Sequence, residues 1–378
     1  MLRIVPLPPR DTKAFLSLPK RVYQGDPHWI PPLMMERQAF LDPRKNPFFQ
    51  HAKVQLFLAQ RHQEPVGRLA AIINDTHDAY HQEHAGFFGL FECLPGEGEA
   101  ASALFQAAEA WLRERGAAFM RGPVSLSTNE LDCGLLVEGF DTPPVFQSSY
   151  NPPDYETYIK AHGLEPCKNL LAYHKHYDPP LPERISKTIE RLRSRSNVTV
   201  RTINKRNLTA DVRCITHIYN EAWSANWGFV PITEAEAEHM AKSLKLAIVP
   251  ELALIAEVDG EPVGCFVAIP DLNPALKRLG GRLTPWGLVS FFYHRHRTRT
   301  VRVAMMGVKK RYRRLGIDLL LFARVWELAP VKGFMQAELA WILEDNELMT
   351  RAIERIGGIL HKRYQLYQKD FYLSAGRK

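Results

Sequence analysis

The strand-like segment Gln336–Ile342 carries one acid, Glu338, among Ala337, Leu339 and Trp341. A carboxylate in apolar company loses hydration, which disfavours its charged form and equips it to accept a proton near neutral pH. The plainer expectation is a structural ion pair within the strand. Upstream, Lys309-Lys310-Arg311-Tyr312-Arg313-Arg314-Leu315-Gly316 links an apolar run, 301–308, to an apolar segment of helical length starting at Ile317. The first N–H groups of a helix lack partners inside it, and the helix dipole favours an anion there. Arg313 and Arg314 add planar donors that match phosphate oxygens. Together the loop and the helix start suit a phosphate-bearing ligand. The competing expectation for the loop is an ordinary turn with a solvated basic face.

Several elements must position those residues. The apolar residues 301–308, with Val301, Val303 and Val308, predict a strand, and Gly307 would permit a bulge within Met306–Val308. A helix is expected over 317–329, stopped by Pro330, then the strand 336–342, then a helix capped by Asp345. Before them come a strand at 198–203, helices at 208–223 and 234–248, and paired strands at 252–258 and 263–269. The earlier half repeats the order: strand 2–7, helix 10–24, strands 54–59, 66–73 and 86–93, helix 99–115, strand 118–126. The repeat is one of element order and not of residues. The Pro-rich 177–183 marks a boundary, followed by a charged helix at 185–195. The division is therefore 1–176, a connecting 177–196, and 197–378.

At Arg313-x-x-Gly316 the chain resembles the GNAT superfamily of acyl-CoA-dependent N-acyltransferases, whose pyrophosphate motif is Arg/Gln-x-x-Gly-x-Gly/Ala. Asp318 departs from that motif, and Arg314 stands where Gly is common. The segment Asn346–Gly357 resembles the family's second motif, except that Ile353 replaces the Tyr that often acts as general acid. The resemblance implies an α/β fold with a mixed α+β sheet, as two tandem GNAT-like domains. It implies acyl-CoA or acetyl-CoA as co-substrate, held by Met306, Gly307, Val308, Arg313, Arg314, Gly316, Ile317, Asp318 and Asn346, and no metal. It places Glu338 as general base and leaves Tyr364 and Tyr367, on the last strand, as acids in place of residue 353. Trp223, Trp227 and Phe229 would border the acceptor pocket, with core packing as their alternative. Asn129, in the polar run 125–130, would line a cleft unless that run forms only turns. In the first half the equivalent loop, Leu94-Pro-Gly-Glu-Gly-Glu99, is acidic and would repel pyrophosphate.

Composition sets the outer limits. The chain has 378 residues and net charge +8, yet residues 272–317 contain twelve Lys and Arg and no acid. The basic character is thus regional, which argues against a nucleic-acid binder. Five scattered cysteines lack metal or disulfide spacing, and no apolar run reaches the roughly 18–20 residues of a membrane span. The expectation is a cytoplasmic protein, with peripheral attachment to an anionic inner-membrane surface as a variant. That variant rests on Trp286, Phe291, Phe292 and Tyr293 beside Arg295, Arg297 and Arg299. The two-domain form also resembles bacterial ceramide synthases, which implies a lipophilic amine acceptor. An N-acetyltransferase for a small polar amine or peptide, and a non-catalytic GNAT-fold binding module, remain the alternatives.

Overall fold

The computed structural model describes all residues except 9, 10, 131, 179, 245–247 and 372–378. The chain forms two compact units. Unit 1 comprises 1–170, 276–288 and 362–378, and unit 2 comprises 171–275 and 289–361. The sequence reading divides the chain at 177–196; by contacts, residues 276–288 and 362–371 group with unit 1.

Unit 1 begins with β1 (Leu2–Leu7), α1 (Lys13–Ser17), α2 (Pro19–Val22) and α3 (Met34–Phe40). The hairpin β2 (Ala52–Arg61) and β3 (Glu64–Asn74) follows, then α4 (Asp75–His81), β4 (Ala85–Cys93), α5 (Gly98–Arg113) and β5 (Phe119–Gly122). It continues with β6 (Leu135–Glu138), α6 (Tyr155–Ala161) and the first half of β7 (Glu165–His176). β1 through β5 lie in order, antiparallel except for the parallel β4–β5 pair. The residues of β13 (Ile359–Asp370) from Lys362 onward pair with β6 at Arg363–Gln365 and with β5 at Tyr367–Asp370. α5 lays Leu104, Phe105, Ala108 and Leu112, spaced at helical period, onto this sheet.

Unit 2 takes the second half of β7, then α7 (Glu183–Arg195), β8 (Val198–Thr202), α8 (Leu208–Ala222) and α9 (Glu234–Leu244). It continues with β9 (Ala253–Val258), β10 (Glu261–Pro270) and α10 (Asn273–Leu279), the last crossing between the units. α11 (Pro285–Arg295) from Val289 onward, β11 (Thr300–Val308), α12 (Ile317–Val331), β12 (Gln336–Leu343) and α13 (Glu347–Arg355) complete it. Its strands lie in the order β7-β12-β11-β10-β9-β8. β8 to β11 are antiparallel and β11–β12 parallel, because α12 returns the chain to the same end of the sheet. Ile317, Leu321, Val325 and Ala329 of α12 pack on Val301 and Val308 of β11 and on Val263 of β10. Each fully buried aliphatic side chain contributes about 1.5–3 kcal/mol.

Several expected boundaries move. The strand expected over 118–126 ends at Gly122, because Pro123 has no N–H to continue a ladder and Val124 N–H donates to Phe88 O at 2.9 Å. α12 continues through Pro330 to Val331. Pro330 sits in the last turn, and Lys332 N–H resumes bonding to Leu328 O at 3.2 Å. Asn346, not Asp345, caps α13, its side chain accepting from Met349 N–H. The helix expected over 234–248 is described to Leu244, and 245–247 lie outside the described residues. The expected helix 10–24 appears as the short α1 and α2, with Arg10 outside the described residues. β6, α6 and β7 are elements the sequence pattern did not expose.

Candidate active site

β11 is the strand on which unit 2's site is built. Its pairing with β10 shifts register: Val267 faces Met305 and Ala268 faces Val303, so Ala304 is an extra residue. The bulge is therefore at Ala304 and not within Met306–Val308, whose residues pair regularly with Gly264, Cys265 and Phe266. An extra residue re-phases the alternation of side chains. Val301, Val303, Met306 and Val308 all join the core beneath α12. Arg302 and Gly307 are left for the opposite face.

On that opposite face Gly307 lies directly under Trp223. A Cβ at Gly307 would sit 2.0 Å from the indole ring, so any other residue there would have to displace the ring. Trp223, just after α8, stacks on Tyr219 with centroids 5.0 Å apart, and Phe229 tilts against Tyr219 at 5.5 Å. Phe229 is buried, Trp223 and Trp227 half-buried. Burial pushes the Tyr219 hydroxyl's titration upward, keeping it neutral.

β11 and β12 pair in parallel only from Thr300↔Gln336 to Val303↔Leu339, yet β11 runs on to Val308 and β12 to Leu343. The sheet thus opens between the two strands at their C-terminal ends. Just before the opening, Arg302 and Glu338 occupy paired register positions, 1% and 0% exposed. Residues directly opposite in a sheet share a face. Glu338 Oε2 also lies 3.1 Å from His361 Nε2, at the start of β13. The His361 ring is 5.8 Å from that of His174, which is 4.7 Å from His176, both on β7. Burial, then the neighbouring His176 and His361, lowers the titration of His174, so its imidazole stays neutral. Gln336 Nε2 donates to Thr300 Oγ1 at 2.7 Å at the edge of this cluster.

The loop after β11 is a 3₁₀ turn, Lys310–Leu315, ending in Gly316 at φ +69°, from which α12 starts. A Cβ at Gly316 would meet Leu192 of α7 at 2.7 Å, a second reason for glycine here. Ile317 is fully buried, so only its backbone faces the helix start. Lys310, Arg311, Arg314 and Asp318 are exposed. Arg313 is occupied by the scaffold: its Nη2 donates to Ala222 O at 2.5 Å and its Nε to Val308 O at 3.3 Å. It ties the end of α8 to the end of β11. Lys309, 6% exposed, pairs with Glu261 at 3.1 Å.

Glu338, Trp223, Gly307 and the basic loop therefore all belong to unit 2. Tyr364 and Tyr367 belong to unit 1. Tyr367 is fully buried and donates to Glu156 at 2.8 Å. Tyr364 is 3% exposed. Asn129, also in unit 1, donates its N–H to Ser127 Oγ at 3.1 Å, as in a serine turn. Sequence reasoning missed His361, His174 and His176. The only signal was a histidine alternation at 174 and 176 in a strand that went unrecognised. Among the described residues no cluster of His, Cys, Asp and Glu could hold a metal ion, and no helix is long and apolar enough to cross a membrane.

The chain is similar over nearly its whole length to two curated proteins. It is 37% identical over 380 residues to the bacterial ceramide synthase of Caulobacter vibrioides, covering 97% of each chain. It is 36% identical to Protein YghO of Escherichia coli, covering 95% of this chain and 93% of that one. Among solved structures, a tandem GNAT protein from the clavulanic acid biosynthesis pathway superposes over 100% of both chains, with TM-score 0.58 and 13% identity. A GCN5-related N-acetyltransferase from Sphaerobacter thermophilus matches at TM-score 0.53 and 17% identity, over 98% of this chain and 95% of that chain. No family model matches the chain.

Proposed function

Since the chain belongs to the GNAT N-acyltransferases, in the family that includes the bacterial ceramide synthase, we propose that it moves a long-chain acyl group from acyl-CoA to the amine of a sphingoid-type base. The observation that carries this reading is the 37% identity across 97% of both chains.

The geometry of unit 2 supports it. The thioester arm of acyl-CoA enters where β11 and β12 part, beyond Val303 and Leu339. Its pyrophosphate meets the first N–H groups of α12 and the exposed Lys310 and Arg314. Arg313 holds the loop against α8 and β11 through its two carbonyl contacts, so its contribution is mainly to loop shape. The acceptor amine approaches on the face that carries Trp223, with Glu338 supplying the carboxylate on which proton removal depends. A lipid acceptor also has a surface from which to enter. α11 exposes Trp286, Val289 and Tyr293 at positions i, i+3 and i+7, one face of a helix, and Arg297 and Arg299, which follow it directly in the chain, are exposed. That face suits an anionic bilayer interface.

The test is amide formation by the purified chain with acetyl-CoA or palmitoyl-CoA, offered a sphingoid base in anionic vesicles or a short soluble amine, read by mass spectrometry. Long-chain amide from the sphingoid base is the expected product. Transfer from acetyl-CoA to the soluble amine alone would replace this reading with a small-molecule acetyltransferase. No amide from any pair would leave a binding module.

A further inference from the structure

The proton acceptor in this cluster must be reachable by a substrate that arrives from solvent. Glu338 is fully buried and Arg302, opposite it in register, is 1% exposed. The His361 side chain is 24% exposed, with Nε2 3.1 Å from Glu338 Oε2. The one member of the group with both a buried carboxylate partner and an open side is therefore an imidazole. We infer that His361 takes the amine proton and that Glu338 is the positioning residue acting through it, an inference that rests on the acyl-transfer reading above.

A carboxylate facing one ring nitrogen of a histidine fixes the tautomer and stabilises the imidazolium once it forms. Here the carboxylate lies on the Nε2 side of the ring, which leaves Nδ1 as the nitrogen turned away from it. The other groups around the ring leave that role to His361. His174 faces it from β7 and Glu338 from β12, with His176 beside His174 and Arg302 opposite Glu338 in register. His174 is half-buried and held neutral by burial. Arg302 cannot accept a proton. In the reaction the amine nitrogen attacks the thioester carbonyl carbon, and an N–H proton passes to His361 Nδ1. The C–S bond breaks with its electron pair on sulfur. The same proton then goes to the thiolate, giving an amide, free CoA thiol and a neutral imidazole.

The test compares wild type, His361→Gln, His361→Ala and Glu338→Gln as full-length chains, with acyl-CoA affinity and melting temperature measured alongside turnover. His361→Gln should lose about 10²–10⁴-fold in kcat with acyl-CoA affinity and melting temperature near wild type. Added imidazole should restore part of the activity of His361→Ala, which a structural role would not allow. The acidic limb of kcat/KM against pH should vanish in His361→Gln and move to lower pH in Glu338→Gln, where the imidazolium has lost its counter-anion. Wild-type turnover in His361→Gln overturns the inference and leaves acyl transfer standing. So does a failed imidazole rescue together with an unmoved acidic limb in Glu338→Gln. A wild-type chain that forms no amide at all overturns the acyl-transfer reading itself.

Discussion

Each unit buries an Arg–Glu pair in facing positions on adjacent strands, and the two pairs live in different company. In unit 1, Arg68 on β3 faces Glu92 on β4, 3.5 Å apart. Tyr155 donates to Glu92 at 2.8 Å, and Tyr23 is packed nearby. Burial pushes the titration of both tyrosines up and that of Glu92 up, the latter opposed by Arg68 and the phenols. In unit 2, Arg302 faces Glu338, and the next groups are imidazoles. Phenols with raised titration hold the first network in one protonation state, whereas the second has ring nitrogens, which can accept a proton, beside its carboxylate.

The same contrast holds where the sheet would open. In unit 1 a Cβ at Gly89 of β4 would lie 1.6 Å from the Val124 carbonyl oxygen, so the chain's own backbone closes the space beside that strand. In unit 2 the corresponding cover on Gly307 is the ring of Trp223, a side chain that can turn aside. The loops that follow differ in the same sense. Glu97 and Glu99 of unit 1 are both held by Arg61, at 2.9 and 2.8 Å, while Lys310 and Arg314 of unit 2 are exposed. The two units thus share a buried charge pair and a β-α turn, and differ in the groups beside the pair and in what covers the strand glycine.

Breaking the two carboxylates should give the largest separation. Glu338→Gln is expected to cut turnover per folded molecule by about 10²–10⁴-fold, and to lower the melting temperature as well, because it strands the buried Arg302. Glu92→Gln should leave turnover per folded molecule intact but cost about 3–5 kcal/mol of stability by stranding Arg68. Equal kinetic effects of the two would erase the distinction between the units. Next in size is the donor site. Lys310→Glu with Arg314→Glu should weaken acyl-CoA binding by about tenfold or more, measured by calorimetry. Glu97→Lys with Glu99→Lys should create none in unit 1, and a second binding event there would refute the assignment to one unit. Gly89→Ala and Gly307→Ala should then divide by kind. The first presses on backbone and should lower the melting temperature, at a cost of about 1–3 kcal/mol or more. The second displaces the Trp223 ring and should appear mainly in KM for the acceptor.

Much of the fold was legible from the chain. Valine-rich runs bounded by turn residues placed β11 and β12, and the 3.6-residue spacing of Leu104, Ala108 and Leu112 placed α5, because both patterns report one buried face. Gly316 before Ile317 was readable as a helix start because few other residues accept a positive φ. Glu338 was visible as an acid out of place among apolar neighbours. His361 was not, since a histidine 23 positions later carries no local mark of its partner. Arg313 was legible as a cation, but its contacts with Ala222 and Val308 depend on where α8 ends, which is a tertiary fact.

The amino-acid sequence by itself determined the alternation of strands and helices, the basic loop ahead of α12 and the single acid in β12, since each follows from local propensity, period or charge. Only the tertiary structure decided which groups meet. The bulge at Ala304 put Gly307 on the same face as Arg302, opposite α12, the pairing of β11 with β12 set Arg302 opposite Glu338, and β13 brought His361 to that carboxylate. It also gave residues 362–370 of β13 to unit 1. The physical reason is range. Hydrophobic period and helix capping act over a few residues, whereas strand order and register are fixed by packing between segments far apart in the chain.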